Sequence, residues 1–163
     1  MPSIIDTTSS APPRHSAALA IGYGGLLAGV LDILFAIFVY VFVFHTNTAV
    51  GVLQYIASGV LGSAAFSGGF GSAALGLVLH FLIAFALAAI YYFAATRVIA
   101  LRMYWAPAGL VYGVLVWLVM SFVVVPISAT PKAPFDASVF WTFLVGHAFF
   151  VGLPISWAVH RFT

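Results

Sequence analysis

Cysteine and glutamate are both absent from this chain of 163 residues. Without cysteine, disulfides, thiolate metal ligands and cysteine nucleophiles are excluded. Charge is almost as scarce, because Asp, Lys and Arg together make up only 5% of the residues. The sequence also lacks a nucleophile elbow, an HExxH motif and a paired-carboxylate pattern. An enzyme is therefore not expected unless the few buried ionisable residues are themselves catalytic.

What the chain has in abundance is apolar side chains. Hydrophobic residues make up 64% of the sequence, and the mean hydropathy is +1.21. A soluble domain of this length does not reach such values, so the sequence predicts an integral membrane protein with the lipid bilayer as its first partner. The lysine and the arginines flank apolar segments and form no basic stripe, so nucleic-acid binding is not expected.

Four apolar runs reach the roughly 20 residues needed to cross the hydrocarbon, at about 17–44, 72–96, 105–127 and 139–160. The first run is well beyond the roughly 7 to 15 residues of a signal-peptide core, so it predicts an uncleaved helix. Residues 1–16 are polar and rich in Ser, Thr and Pro, which predicts a disordered cytoplasmic tail. Residues 17–163 then form a single membrane domain.

A further apolar segment, from Val50 to Gly71, is interrupted by six glycines. With four spans, one side of the membrane receives most of the cations: Arg14, Arg97, Arg102 and Arg161. Only Lys132 falls on the other side, where Asp136 offsets it. The positive-inside rule then places both termini in the cytoplasm, whereas a fifth span would break this agreement.

The predicted fold class is therefore an all-α, polytopic membrane protein with four transmembrane helices and a glycine-rich interfacial or re-entrant helix at about 50–66 on the outer face. Gln54 and Ser58 lie four residues apart, on one face of this helix. Small residues also recur within the spans, and we expect close helix packing at Gly22, Gly25, Gly29, Gly76, Gly109 and Gly113. Such faces favour a homo-oligomer or a subunit of a membrane complex.

Three ionisable residues lie inside the apolar runs: Asp32, His80 and His147. Burying them at membrane depth costs several kcal/mol unless they are paired or solvated, so they mark a candidate polar site. Asp32 and His80 lie on small-residue faces, which predicts that they point at a neighbouring helix. His147 follows Gly146, and Pro154 is expected to kink the helix beyond it.

Depth adds a fourth member to this predicted site. Helix starts near Ser72 and Val139 place His80 and His147 about 12 Å below the outer boundary, and Ser121 falls at a comparable level. Asp32 is predicted to lie deeper, about 18 Å from the outer end of its helix. The sequence thus predicts a polar intramembrane cluster of Asp32, His80, His147 and Ser121.

Four interpretations of this cluster remain open. His80 and His147 could exchange protons beside Asp32 as the counter-charge, in proton-linked transport or a small pore. They could be paired axial ligands of a haem in an electron-transfer subunit. With Asp32 they could hold a metal, although their spacing is not that of a known metal motif. Finally, each histidine could simply hydrogen-bond a neighbouring helix in a structural or partner-binding subunit.

Several short stretches resemble a known family. They are GLLAGV near Gly25, HFLIAFALAAIYY from His80, the loop PISATPKAPFD, and GHAFF around His147. In these stretches the chain resembles the small bacterial inner-membrane proteins of the YagU-like kind. The resemblance implies a location in the bacterial cytoplasmic membrane and a shared role for His80 and His147. Asp32 has no clear counterpart, and the resemblance adds a location rather than an activity.

Overall fold

The computed structural model describes residues 16–163, which are largely helical and contain no strand. Five helices are long and apolar enough to cross a membrane: α1 (Ala17–Val43), α2 (Ala49–Ser67), α3 (Gly69–Arg97), α4 (Trp105–Ile127) and α5 (Ala137–Phe162). A one-turn helix, Ala100–Met103, connects α3 to α4. The prediction of an all-α chain with several membrane-spanning candidates is confirmed. The predicted tail lies outside the described residues, except for Ser16.

Polar side chains begin three of the helices. The Ser16 hydroxyl accepts a hydrogen bond from the backbone N–H of Leu19, Thr48 caps α2 in the same way, and Asp136 caps α5. Each cap satisfies a backbone donor that the first turn leaves unpaired. No side chain caps α3, which begins at Gly69 in a left-handed conformation with φ of 57°. A glycine suits that sharp reversal because it has no Cβ to clash.

Helix α1 lies between α3 and α5 and runs antiparallel to both. On one side, a Cβ added at Gly25 or Gly29 would meet the rings of Phe85 and Phe81 on α3. On the other side, a Cβ added at Gly24 would lie 3.5 Å from Cβ of Ala158 on α5, an ordinary van der Waals distance. Small residues therefore let both neighbours approach the backbone of α1, as packing within a bilayer requires.

The contact between α4 and α5 is closer still. A Cβ added at Gly113 would collide with the backbone carbonyl of His147, and one added at Gly109 would collide with Ser156. Gly152 of α5 in turn faces the carbonyl of Gly109. The two helices thus meet backbone to backbone just below the candidate site, so the position of His147 depends on these glycines.

The two remaining predicted packing glycines differ in their surroundings. Gly76 of α3 faces the backbone of Leu53 in α2, so a side chain there would collide. Gly22 has nothing within 4 Å of an added Cβ among residues 16–163. The glycine pattern on α1 therefore packs against neighbours at Gly25 and Gly29, while Gly22 faces open space.

Three helices contain a wide π turn, in which hydrogen bonds reach five residues back: Val39–Val43, Met120–Val124 and Ala148–Gly152. The last of these follows His147 directly. The N–H of Leu153, the residue after this turn, donates to the carbonyl of Ala148. Pro154 comes two residues after Gly152. A proline has no N–H to continue the regular pattern. A π turn thus lies just before Pro154. The kink expected at Pro154 stays a prediction.

Helix α2 packs against the first part of α3. The backbone of Leu53 in α2 lies next to Gly76, eight positions beyond Gly68, the residue between the two helices. Six residues further along α2, Gly59 accepts a hydrogen bond from the N–H of Ala129, in the loop after α4. These contacts lie where α3 begins and α4 ends, at one end of the bundle.

Buried polar contacts hold α2 there. Gln54 is 8% exposed, and its amide donates to the carbonyl of Gly69 and to the hydroxyl of Ser72. Ser58 is fully buried, and its hydroxyl lies 3.4 Å from that of Thr130. The polar face formed by Gln54 and Ser58 thus points into the protein.

The two ends of the bundle differ in charge. The N–H of Ser16 donates to the carbonyl of Phe162, and His160 donates to the carbonyl of Arg102, so these residues lie at one end together with Arg161. The opposite end carries the loop with Lys132 and Asp136. Among the described residues, the arginines are therefore gathered at one end.

Candidate functional site

Asp32, His80 and His147 lie at one level of the bundle. Asp32 is eleven residues before the end of α1 at Val43, His80 is eleven residues after Gly69, and His147 is ten residues after Ala137. Since these helix ends lie at the same end of the bundle, each residue is about 15 Å from it, roughly half of a 30 Å hydrocarbon layer. The prediction that Asp32 lies deeper is therefore wrong, because α3 and α5 begin two or three residues earlier than expected.

Asp32 and His147 face each other across the contact of α1 with α5. Oδ1 of Asp32 lies 3.7 Å from Nδ1 of His147, which is too long for a hydrogen bond. The side chains are 15% and 11% exposed, respectively. Oδ1 itself is buried and accepts no hydrogen bond from any residue in the range 16–163. This acceptor therefore has an ionisable ring nearby but no donor.

The carbonyl of Phe143 determines which nitrogen of His147 carries hydrogen. Nδ1 lies 2.9 Å from that oxygen, and a carbonyl can only accept. Nδ1 is thus the donor, and Nε2 remains the nitrogen that can take up a further proton. The ring is held on another side by Trp117, whose centroid lies 4.8 Å away. The orientation of His147 is fixed by its own helix and by α4.

His80 makes a different contact. Its Nε2 donates to the carbonyl of Gly29 on α1 over 2.8 Å, three residues before Asp32. No hydrogen bond or ion pair connects His80 to Asp32 or His147 in residues 16–163. The structure therefore brings Asp32 and His147 together, whereas His80 binds the adjacent turn of α1.

The contribution of α4 comes from Trp117, which the sequence reasoning did not place in the site. Trp117 is ten residues before Ile127, level with the other members, while Ser121 is one turn nearer the helix end. Ser121 is half-buried and makes no side-chain hydrogen bond with Asp32, His80 or His147. The sequence does contain a pattern that indicates this position. Gly109, Gly113 and Trp117 are spaced four residues apart, so Trp117 lies on the same small-residue face of α4 as the two glycines.

The indole N–H of Trp117 is also buried, and no acceptor for it lies within the described part of the chain. Two unpaired buried groups, one acceptor on Asp32 and one donor on Trp117, thus flank His147. Both are costly in a setting with little water. An ionised Asp32 would cost most, and an imidazolium at His147 would offset that cost.

Metal and haem binding find little support in this geometry. In residues 16–163, no three His, Asp, Glu or Cys side chains are placed to hold one metal ion. A haem between the two histidines would need a ring nitrogen from each, and Nε2 of His80 is already bonded to α1. The side chains that do meet, Asp32 and His147, are two ionisable groups 3.7 Å apart.

An open apolar groove of about 740 Å³ lies next to this pair, between α1 and α5. Its lining is Leu31, Phe35, Trp141, Thr142, Val145, Gly146, Phe149 and Phe150. The ring of Phe35 lies over Gly146, and neither Asp32 nor His147 is part of the lining. The groove is thus a lipid-facing surface, separate from the polar pair.

Comparison with known proteins identifies no relative: no family model, no curated protein and no solved structure matches the chain. The inference of function therefore rests on the residues of the site.

Proposed function

We propose that the chain is an integral membrane protein in which Asp32 and His147 form a proton-relay site, serving proton-linked transport or a small pore. One observation carries this proposal. The buried Oδ1 of Asp32 accepts no hydrogen bond from residues 16–163 and lies 3.7 Å from a histidine ring, about halfway through the membrane. Intramembrane carboxylates beside histidines are typical of proton pathways.

The pair can hold a proton in two ways with the same net charge. In one, Asp32 is a neutral acid and His147 a neutral imidazole; in the other, Asp32 is a carboxylate and Nε2 of His147 carries the proton, so the carboxylate lies beside an imidazolium. Nδ1, the ring nitrogen 3.7 Å from Asp32, keeps its hydrogen on the carbonyl of Phe143 in both, so the proton on Nε2 is exchanged at the other ring nitrogen and not across that contact. Release of a proton to one side of the membrane leaves one negative charge on the pair, and uptake of a proton from the other side restores the neutral pair.

His80 supports a second candidate role, that of a structural hydrogen bond. Its 2.8 Å bond to the carbonyl of Gly29 connects α3 directly to α1. Such bonds between transmembrane helices contribute about 1 kcal/mol. We assign His80 to positioning α1, and the relay chemistry to Asp32 and His147.

The proposed topology has four spans, α1, α3, α4 and α5, with α2 on the outer face and both termini in the cytoplasm. It is supported by the contacts of α2 with Gly76 and Ala129, which lie at one end of the bundle. It is also supported by the arginines gathered at the other end. The resemblance to YagU-like proteins favours the bacterial inner membrane. Self-association is proposed as well, with Gly22 as the small residue left open for it.

Proton flux in proteoliposomes tests the relay. The purified chain is reconstituted with a pH-sensitive dye inside the vesicles, and a pH gradient is applied. We expect Asp32→Asn and His147→Gln each to reduce the flux about tenfold or more, because each removes one of the two groups that exchange the proton.

Ser121→Ala is the matched control, since Ser121 is a polar residue of the same bundle that makes no bond to the pair. It should leave the flux unchanged. Wild-type flux equal to that of protein-free vesicles would contradict the relay, and so would normal flux in both Asp32→Asn and His147→Gln. Either result would leave the pair with a structural role.

A further inference from the structure

The arginine-rich end of the bundle has a surplus of positive charge. Arg97 ends α3, Arg102 lies in the one-turn helix Ala100–Met103, and His160 and Arg161 lie in the last turn of α5. The two carboxylate side chains among residues 16–163 are elsewhere: Asp32 lies at mid-depth and Asp136 at the opposite end. Within these residues no carboxylate lies within ion-pair distance of an arginine at this end.

Arg102 differs from the other cations because its backbone is held on two sides. The hydroxyl of Tyr91 donates to the carbonyl of Leu101 over 3.0 Å, and Nδ1 of His160 donates to the carbonyl of Arg102 over 2.9 Å. Trp105 stacks on the ring of His160 with an interplanar angle of 22°. The short helix is thus fixed against α3 and α5, and the stem of Arg102 is placed before any ligand arrives.

One N–H group of the Arg102 guanidinium lacks a hydrogen-bond acceptor. Its Nε is buried and finds no acceptor in the described chain. Leaving a charged donor buried and unpaired costs more than leaving a neutral one, so the position favours an anionic oxygen. Because the guanidinium offers a planar fork of N–H groups, the anion that fits it best is a carboxylate or a phosphate.

The surroundings of Arg102 select a lipid over a soluble anion. The 29 residues of α3 extend about 42 Å, about 12 Å more than the hydrocarbon layer, so its Arg97 end lies among headgroups. Three apolar or aromatic side chains next to Arg102 are exposed: Ile99, Met103 and Tyr104. A phospholipid supplies a phosphate for the arginine and acyl chains for these side chains at the same time.

We propose that this end of the bundle is a binding site for an anionic phospholipid of the phosphatidylglycerol type. The phosphate is bound by the Arg102 guanidinium, with His160 and Arg161 beside it, and the acyl chains contact Ile99 and Met103. The proposal is independent of the proton relay, because it concerns the opposite half of the bundle. A bound lipid would hold the α3–α4 connection against α5.

Native mass spectrometry of the full chain in detergent tests the site, with phosphatidylglycerol and phosphatidylcholine as probes. The wild type should retain phosphatidylglycerol preferentially. Arg102→Gln should weaken its binding about tenfold, the effect of losing one charged hydrogen bond, and should leave phosphatidylcholine binding unchanged. Arg97→Gln is the matched control, since it removes the same charge from an exposed side chain and should have a much smaller effect.

Several outcomes would overturn the proposal. Equal losses in Arg97→Gln and Arg102→Gln would show diffuse charge attraction, and no preference for phosphatidylglycerol would remove the site. Displacement of the lipid by inorganic phosphate at equal concentration would identify a soluble phosphate site. Arg102→Lys keeps the positive charge but not the planar set of guanidinium N–H groups, so it should bind phosphatidylglycerol with intermediate affinity. This variant also checks that the weaker binding of Arg102→Gln is not caused by misfolding.

Discussion

At the scale of single residues, Asp32 combines a proposed role in the relay with a cost to stability. A buried carboxylate oxygen without a hydrogen-bond donor destabilises the folded state by about 1–3 kcal/mol. We expect Asp32→Asn to raise the free energy of unfolding by about that amount, because a neutral amide costs less to bury than a carboxylate. Reversible unfolding in mixed detergent micelles measures it.

The same variant is expected to abolish proton flux, so stability and function should move in opposite directions. Ser121→Ala, with no such orphaned atom, should change neither. An Asp32→Asn protein less stable than the wild type would show that the carboxylate is a net stabilising group, paired more tightly than its 3.7 Å separation from His147 implies.

His80 gives the complementary prediction. His80→Ala removes the donor to the carbonyl of Gly29, so the free energy of unfolding should fall by about 1 kcal/mol while proton flux per folded molecule is retained. Micelle unfolding and proteoliposome flux on one preparation check both parts. If His80→Ala instead lost as much proton flux as His147→Gln while its stability was unchanged, His80 would belong to the relay.

Sequence reasoning found the ionisable members of the site because charge inside an apolar run is conspicuous. It paired Asp32 with both histidines, whereas the structure brings it to His147 alone. The depth of Asp32 and the choice of Ser121 over Trp117 depended on helix ends that differ by a few residues, and each residue shifts the level by 1.5 Å. Trp117 was overlooked because an aromatic residue does not differ enough in polarity from its neighbours in an apolar run.

At the scale of helices, the contact of α4 with α5 is the most sensitive to volume. A side chain at Gly113 would collide with the carbonyl of His147, so Gly113→Val should separate the two helices and displace His147 from Asp32. We expect a loss of about 1–3 kcal/mol in stability together with loss of flux. Unfolding in micelles and proteoliposome flux measure the two effects.

Gly71→Ala is the control for this substitution, since nothing lies within 4 Å of the added Cβ among residues 16–163. It should be close to neutral. Wild-type stability in Gly113→Val would mean that α4 and α5 can repack at no cost, and that glycine is not needed for their approach.

Helix bounds were partly predictable for a local reason. Capping residues and the apolar run lengths are sequence signals, and α4 occupies the predicted 105–127. The path of α2 is not a local property. It follows from a reversal at Gly69 and from the bonds of Gln54 to the first turn of α3 and of Ser58 to Thr130 after α4, contacts that no single segment reveals.

At the scale of the whole molecule, the absence of cysteine allows a clean test of the topology. Thr46 and Ser67 are exposed residues at the two ends of α2. If α2 lies on the outer face, Thr46→Cys and Ser67→Cys should both react with a membrane-impermeant maleimide added to intact cells. Since the chain supplies no other thiol, any labelling reports the introduced residue.

Ala133→Cys, in the loop between α4 and α5, marks the same side in this experiment. Reaction of Thr46→Cys and Ser67→Cys from opposite sides would show that α2 crosses the membrane, and the four-span topology would be wrong. The charge pattern that predicted this topology is a property of the entire chain, which is why local hydropathy alone offers five candidates.

The π turn after His147 has a consequence for how the length of this chain can vary. A π turn contains one residue more than the α turn it replaces. Removal of one residue between Ala148 and Gly152 would therefore restore ordinary winding and preserve the faces that carry His147 and Ser156. The same deletion in a regular stretch of α3 would rotate one half of the helix by about 100°. Homologous chains that differ by a single residue should thus carry the gap here, where the extra residue is already accommodated.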